Sequence, residues 1–448
     1  MTLTSEIFAD LFSTAEMREV FSDKMLVNHY LRIERDLALV QADLGIIPHS
    51  AAQAIQEKAQ LENIDWAAFV SGIPKVGVPI MPLVRQIIAA VGEDGEWVHY
   101  GATTQDIMDT AVVLQVQAAI NIIDRDLNHL RHNLTALAKK HRSTPMAGRS
   151  QSQQALPISF GLKVANWLTM IVRHQERLSQ LKPRVLIGQF GGAVGTLASL
   201  GDQGLEVQEK LCQVLNLEQP LMSWHTARDG FAEAVTFLGL LTGTLAKIGQ
   251  DIALMSQNEI GELSEPFSAG RGGSSTMPQK RNPLSAQRMM VAGRLTKQQV
   301  AVMLEAMVND HERGTGVWPM EWVALPEAFL LSAISLTEAI SALGDLQVYP
   351  ERMQKNLALS KGLLVSEAVM MALAPKIGRM TAHDLVEEAV HMSLTENIGL
   401  ADALLQIDLV TRWLSTEDIQ SLTTPANYMG LSEKIVDRVI DNVTKAEK

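Results

Sequence analysis

The sequence predicts an all-α protein built around a central bundle of long helices with a small helical region at each end. Three observations carry that expectation. Prolines are absent from Leu83 to Thr144 and again from Leu221 to Glu265, so nothing interrupts a helix over either interval. Within them apolar residues recur three and four apart, and no alternating strand pattern of useful length accompanies them.

In the first interval the stripe is Ile120, Ile123, Leu127, Leu130, Leu134 and Leu137. In the second it is Leu238, Leu241, Leu245, Ile248, Ile252 and Met255. Each stripe covers one helix face, and the proline-free lengths suggest helices of about 35 to 40 residues, roughly 55 to 60 Å long. Such rods outrun a small core and pack side by side. Apolar helical segments also occur at 158–182, 284–310 and 327–345. Residues 1–105 read as shorter helices broken at Pro48, Pro74, Pro79 and Pro82; residues 106–347 as the long-helix bundle; and residues 348–448 as short helices punctuated by Gly362, Pro375 and Pro425. Wide apolar stripes on rods leave area to bury, which predicts self-association. Continuing the second stripe past Met255 reaches Glu259 and Glu262, acids where apolar residues are expected. Either the helix leaves the core there, or these carboxylates orient cations of the segment that follows.

Composition narrows the function. The 448 residues carry a formal charge of −12 and a single cysteine, Cys212. The acidic balance argues against nucleic-acid binding. One cysteine excludes an internal disulfide and a thiolate metal cluster, and its setting, EKLCQVL, suggests a buried small residue. No run approaches the twenty or so consecutive apolar residues of a membrane helix, and the start MTLTSEIFAD lacks a basic segment followed by an apolar one, so a cytoplasmic location without membrane contact is expected. The eleven histidines include no HExxH pair, and no metal is expected.

Against this background residues 270–283, GRGGSSTMPQKRNP, stand apart. Gly270, Gly272 and Gly273 break a helix, Pro278 and Pro283 stop a new one, and hydroxyls mix with Arg271, Lys280 and Arg281. Such a loop suits closure over an anionic substrate. It is not a phosphate-binding P-loop, because the GK[ST] ending is missing. Other polar islands interrupt the helical pattern. His99 to Asp106, HYGATTQD, precedes a helix that Thr103, Thr104 and Asp106 can cap, and free N–H groups there attract an anion. Gly148 to Gln154, GRSQSQQ, sits between Pro145 and Pro157 at the head of an apolar helix. His311-Glu312-Arg313 leads into Gly314, Gly316, Trp318, Glu321 and Trp322, and Arg313 could clamp a carboxylate.

Taken together, these islands resemble the fumarase/aspartase superfamily. Its GSSxMPxKxN signature is matched by Gly273 to Asn282, and HYGATTQD and GRSQSQQALP look like the other two signature regions in order and spacing. The resemblance spans nearly the whole chain. It implies a homotetramer with a long-helix core, active sites shared between subunits, a small anionic polycarboxylate substrate, and addition or elimination beside a carboxylate without metal or organic cofactor. It also implies that Ser274 moves the proton on the α-carbon, while Lys280 and Asn282 bind the substrate carboxylate and stabilise the aci-carboxylate. Lys280 remains an alternative proton donor. With Arg313, these form the expected catalytic set; His99, Thr103, Thr104, Arg149, Gln151, Gln153, Ser275 and Met277 complete the expected substrate pocket.

One departure bears on the reaction. In adenylosuccinate lyases and fumarases the second signature carries a histidine of the leaving-group proton machinery, and here Gln151 stands there. Glutamine cannot act as a general acid. A carboxylate leaving group needs no proton, which turns the expectation towards lactone chemistry and the 3-carboxy-cis,cis-muconate cycloisomerases of protocatechuate degradation. Segments 188–204, 311–322 and 366–375 also look like that subfamily, although tryptophan is usual at the position of Gln151. The alternatives are a β-elimination lyase of adenylosuccinate or nitrosuccinate type, and a non-catalytic relative of lens-crystallin type, against which Ser274, Lys280 and Asn282 argue.

Overall fold

The computed structural model describes residues 5–266, 276–277 and 279–445, and these are predominantly helical. The helices that matter here are α1 (Asp23–Asp43), α2 (Thr104–Lys140), α3 (Phe160–Val185), α4 (Asp229–Met255), α5 (Leu284–Glu305) and α6 (Trp318–Gly344). Every residue of the two apolar stripes is buried in α2 and α4, each contributing on the order of 1.5–3 kcal/mol of transfer free energy. By length and composition α2, α4 and α6 could cross a bilayer, but 78%, 56% and 72% of their apolar windows are buried within the protein.

The chain divides into two compact units, to both of which α2 to α6 contribute. The first comprises residues 1–127, 174–246 and 288–337; the second comprises 128–173, 247–287 and 338–448. In the first, α1 packs on the helices His49–Lys58 and Gly204–Leu215. In the second, the helices Ser366–Ile377 and Arg379–Glu396 enclose a core that includes Val369, Leu373, Ala389, Leu400 and Leu404.

Three expectations need correction. The second long helix, α4, has 27 residues, short of the predicted length. It ends at Met255, after which Gly261 (φ 62°) turns the chain and the Glu262 N–H returns to the Met255 carbonyl at 2.9 Å. Glu262 therefore leaves the helix without leaving the core, since it is fully buried. The second correction concerns strands. Pro145–Ser150 (β1) and Gln153–Ser159 (β2) form an antiparallel hairpin that runs directly into α3. The island at 148–154 is thus a hairpin tip and not the head of a helix. Its turn, Gln151 and Ser152, has φ of 51° and 62°, as a tight type I′ turn requires. Register shifts at Gly148, where a Cβ would lie 2.7 Å from the Leu156 carbonyl oxygen. A second pair, Leu263–Ser264 (β3) with Gln347–Val348 (β4), is antiparallel and two residues long. Finally, Glu262 does orient a cation, but that cation is Arg149 on the hairpin.

Candidate active site

In the first unit the HYGATTQD island is held from several directions. His99 takes a left-handed backbone, φ 61°, and its Nδ1 lies 2.7 Å from Oε1 of the buried Glu34 on α1. Burial opposes charge on this ring, but the charge and hydrogen bond of Glu34, with Asp106 beyond, outweigh it and hold the pKa above the ordinary histidine range. One α1 face further along, Gln41 donates to the Tyr100 carbonyl at 2.7 Å. Gly101 sits at φ 74°, where a Cβ would come within 2.8 Å of Leu200, so only glycine fits.

Asp106 in the first turn of α2 is the hub. Its Oδ1 accepts from the Gly191 N–H at 2.9 Å and from His225 Nε2 at 2.8 Å, and its Oδ2 accepts from the N–H groups of Thr103 at 3.0 Å and Gly192 at 2.9 Å. With Nε2 donating, His225 Nδ1 accepts from the Ser223 hydroxyl at 3.0 Å. The carboxylate and imidazole are both buried. This fixes Thr103, whose Oγ1 in turn accepts from Arg313. Thr104 follows as the first residue of α2, and His311 near Arg313 also has positive φ, 54°. Positive φ at His99, Gln151 and His311 places backbone strain within the islands, a common property of functional segments.

The segment before α6 is anchored at its other end by a buried ion network. Arg228 binds Asp109 at 2.7 and 3.0 Å and Glu321 at 2.8 and 2.5 Å, and Trp318 Nε1 adds a bond to Asp109 at 3.1 Å. The guanidinium also stacks over Trp224 and Phe231. These carboxylates border an apolar cavity of about 420 Å³ lined by Trp66, Phe69, Trp318 and Trp322. Its polar lining is mostly acidic, which disfavours an anionic substrate.

In the second unit Arg149 on β1 forms a bidentate pair with Glu262, at 2.6 and 2.8 Å, and Asn356 donates to the same carboxylate at 2.8 Å. Gln151 and Gln153 are exposed at and beside the hairpin tip. Met277, Lys280, Arg281 and Asn282 line a polar cavity of about 630 Å³ with Ser256, Asn258, Glu259 and Glu265. Glu265 accepts from the Ser285 and Ala286 N–H groups at 3.0 and 2.7 Å, capping the free donors of α5. Ser274, Ser275 and Arg271 lie outside the described residues.

The structure thus joins Thr103 to Arg313, with His99 on the same segment, and gathers Met277, Lys280 and Asn282 around one cavity. Reading the sequence did not single out Glu34, His225, Arg228, Glu262 as a partner of Arg149, or Asn356. A faint signal existed for two of them, since His225 and Arg228 lie in a short polar stretch, SWHTARD, immediately before an apolar helix. Among the described residues only His383, Asp384 and Glu387 bring three metal-type donors together, and all are exposed.

Comparison with known proteins identifies the family. A family model described as lyase matches residues 12–296, and one described as adenylosuccinate lyase C-terminus matches 362–439. The chain belongs to the fumarase/aspartase lyase superfamily. It is 46% identical to trans-aconitate decarboxylase 1 of Mycosarcoma maydis, covering 98% of this chain and 89% of that one. It is 40% identical to 3-carboxy-cis,cis-muconate cycloisomerase of Pseudomonas aeruginosa, covering 97% and 96%. The 3-carboxy-cis,cis-muconate lactonizing enzyme of Pseudomonas putida superposes with a TM-score of 0.94 at 37% identity, covering 99% and 100%.

Proposed function

We propose that this enzyme adds or removes a proton at the α-carbon of an unsaturated tricarboxylate while the partner group arrives or departs without a proton. The reaction assigned is lactonisation of 3-carboxy-cis,cis-muconate to 4-carboxymuconolactone. One substrate carboxylate oxygen adds across a C=C bond, and the neighbouring carbon takes a proton, from Ser274 or Lys280. Lys280, Asn282 and Arg313 would hold the carboxylates and stabilise the aci-carboxylate. The observation that carries this reading is Gln151, a side chain with no titratable proton at the position of the leaving-group acid.

A second reading shares that logic. Decarboxylation expels CO2, which also leaves without a proton, and the 46% identity to a trans-aconitate decarboxylase across 98% of the chain favours it. In that reaction trans-aconitate loses CO2 and gains a proton on carbon, giving a five-carbon unsaturated dicarboxylate. One assay separates the two. Purified enzyme given 3-carboxy-cis,cis-muconate should bleach its diene absorbance, and given trans-aconitate should release no CO2. CO2 release without bleaching replaces the first reading by the second, and inactivity on both substrates overturns the tricarboxylate assignment. Gln151→His should leave lactonisation no faster.

The same reading includes assembly as a homotetramer, supported by Leu240 and Leu254 on α4, Leu295 and Leu304 on α5 and Val323 on α6, all exposed.

A further inference from the structure

The apolar cavity of the first unit takes no part in the chemistry assigned above, and its walls have two features of a ligand site. The first is aromatic surface. Tyr30 on α1, Trp66 and Phe69 on the helix Trp66–Val76, Phe231 on α4, and Trp318 and Trp322 on α6 all line it. Trp318 and Trp322 meet edge to face with centroids 5.0 Å apart, and Trp66 lies 5.6 Å from Phe69. Trp322 and Val70, also in the lining, are exposed, so the cavity is reached from solvent.

The second feature is uncompensated charge. Asp23, Asp109 and Glu321 line the cavity, and among the described residues no lysine, arginine or histidine does. Arg228 pairs with both Asp109 and Glu321, so two buried carboxylates share one guanidinium and one negative charge is left over. Asp109 is well supplied, since Gln105 Nε2 at 3.0 Å and Trp318 Nε1 at 3.1 Å donate to it besides the guanidinium. Glu321 receives Arg228 alone, and each of its oxygens keeps acceptor capacity. Burial, reinforced by Asp109 and only partly offset by Arg228, holds the Glu321 pKa above the ordinary carboxylate range. The Tyr30 hydroxyl makes no hydrogen bond among the described residues although Tyr30 is buried, and buried polar groups ordinarily have a partner.

We propose that this cavity binds a small organic monocation, an ammonium on an apolar body, whose charge pairs with Glu321 and rests against the aromatic walls. The acids select a cation over an anion. The rings select an organic cation, because they attract an ammonium and offer a metal ion no ligand. A volume of about 420 Å³ lies within the range of small-molecule sites.

4-Phenylbutylamine, 4-phenylbutanol and 4-phenylbutyrate have nearly the same body and are positive, neutral and negative near neutral pH. Calorimetric titration of the wild-type protein should show the amine binding about tenfold to a hundredfold more tightly than the alcohol, the value of a charge-assisted contact, and the carboxylate binding more weakly than either. Glu321→Gln should bring amine and alcohol to within about threefold of each other. Trp322→Leu keeps the rim apolar, leaves the ion network intact and removes one indole; it should cut the amine's advantage by about threefold. The second variant decides the matter if the first does not fold. An advantage unchanged in every variant that folds overturns the site, as does a wild-type protein that binds the alcohol or the carboxylate as tightly as the amine, or binds none of the three.

Discussion

Replacing Asp106 by asparagine should be far more damaging than its near-identical shape suggests. Each carboxylate oxygen accepts two N–H donors within 3.0 Å: Gly191 and His225 on Oδ1, Thr103 and Gly192 on Oδ2. Turning either oxygen into NH2 sets two buried donors against a third, and rotating the amide only exchanges one pair for the other. At about 1–3 kcal/mol per unsatisfied buried donor, the cost is about 2–6 kcal/mol. Hydrogen exchange read by mass spectrometry suits this locality. Peptides containing Thr103, Gly191 and Gly192 should exchange at least about thirtyfold faster, the factor equivalent to roughly 2 kcal/mol. Asp106→Ala provides the contrast, because its vacated volume can admit water that satisfies some donors; the isosteric variant should be no milder than the truncation. Exchange within about threefold of wild type in Asp106→Asn would refute the claim that this carboxylate pins the three strands of chain.

Other outcomes follow from the same geometry. Glu262→Gln strands Arg149 beside a neutral amide and should lower unfolding stability by about 3 kcal/mol, the lower part of the range for a broken buried pair because Arg149 keeps some solvent contact; Glu262→Met with Arg149→Met, measured by denaturant midpoint, should lose less than Glu262→Gln alone. Cys212 is buried and its thiol is pushed up to about 12 by desolvation, against a small opposing hydrogen bond from Gly188. A folded-state pKa raised above the unfolded one adds stability that is complete below about pH 8.5 and declines by about 1.4 kcal/mol per pH unit as pH rises towards the folded value. Unfolding measured from pH 8 to 11 should show that slope, and Cys212→Ala should lack it. Ser274→Ala and Lys280→Ala should each reduce kcat by about a thousandfold or more, and two variants within tenfold of wild type would reject the loop's catalytic role.

Local pattern accounts for what the sequence made legible. The stripes of α2 and α4 repeat every three or four residues, so each helix announces itself within a short window. The hairpin did not, because the shift at Gly148 and the proline at 157 destroy the two-residue period, and β1 has no β-branched residues. Electrostatic partners were hidden for another reason. Arg149 and Glu262 are 113 residues apart, and Arg228 is 119 from Asp109 and 93 from Glu321. Nothing in the neighbourhood of any one of them specifies the other. Glu262 shows the limit well: helical phase marked it as anomalous, but only the turn at Gly261 explains how an acid remains in the core.

The hairpin tip has an evolutionary implication. Gln151 and Ser152 both hold left-handed backbones, a conformation that asparagine and glycine adopt with less strain. Folding alone would favour those residues, and the core places no demand on an exposed tip. In the proposed reaction this is also the position that determines whether a leaving group can be protonated. Substitutions there can redirect chemistry without repacking the interior, so relatives of one architecture can diverge in the bond they break through a single codon.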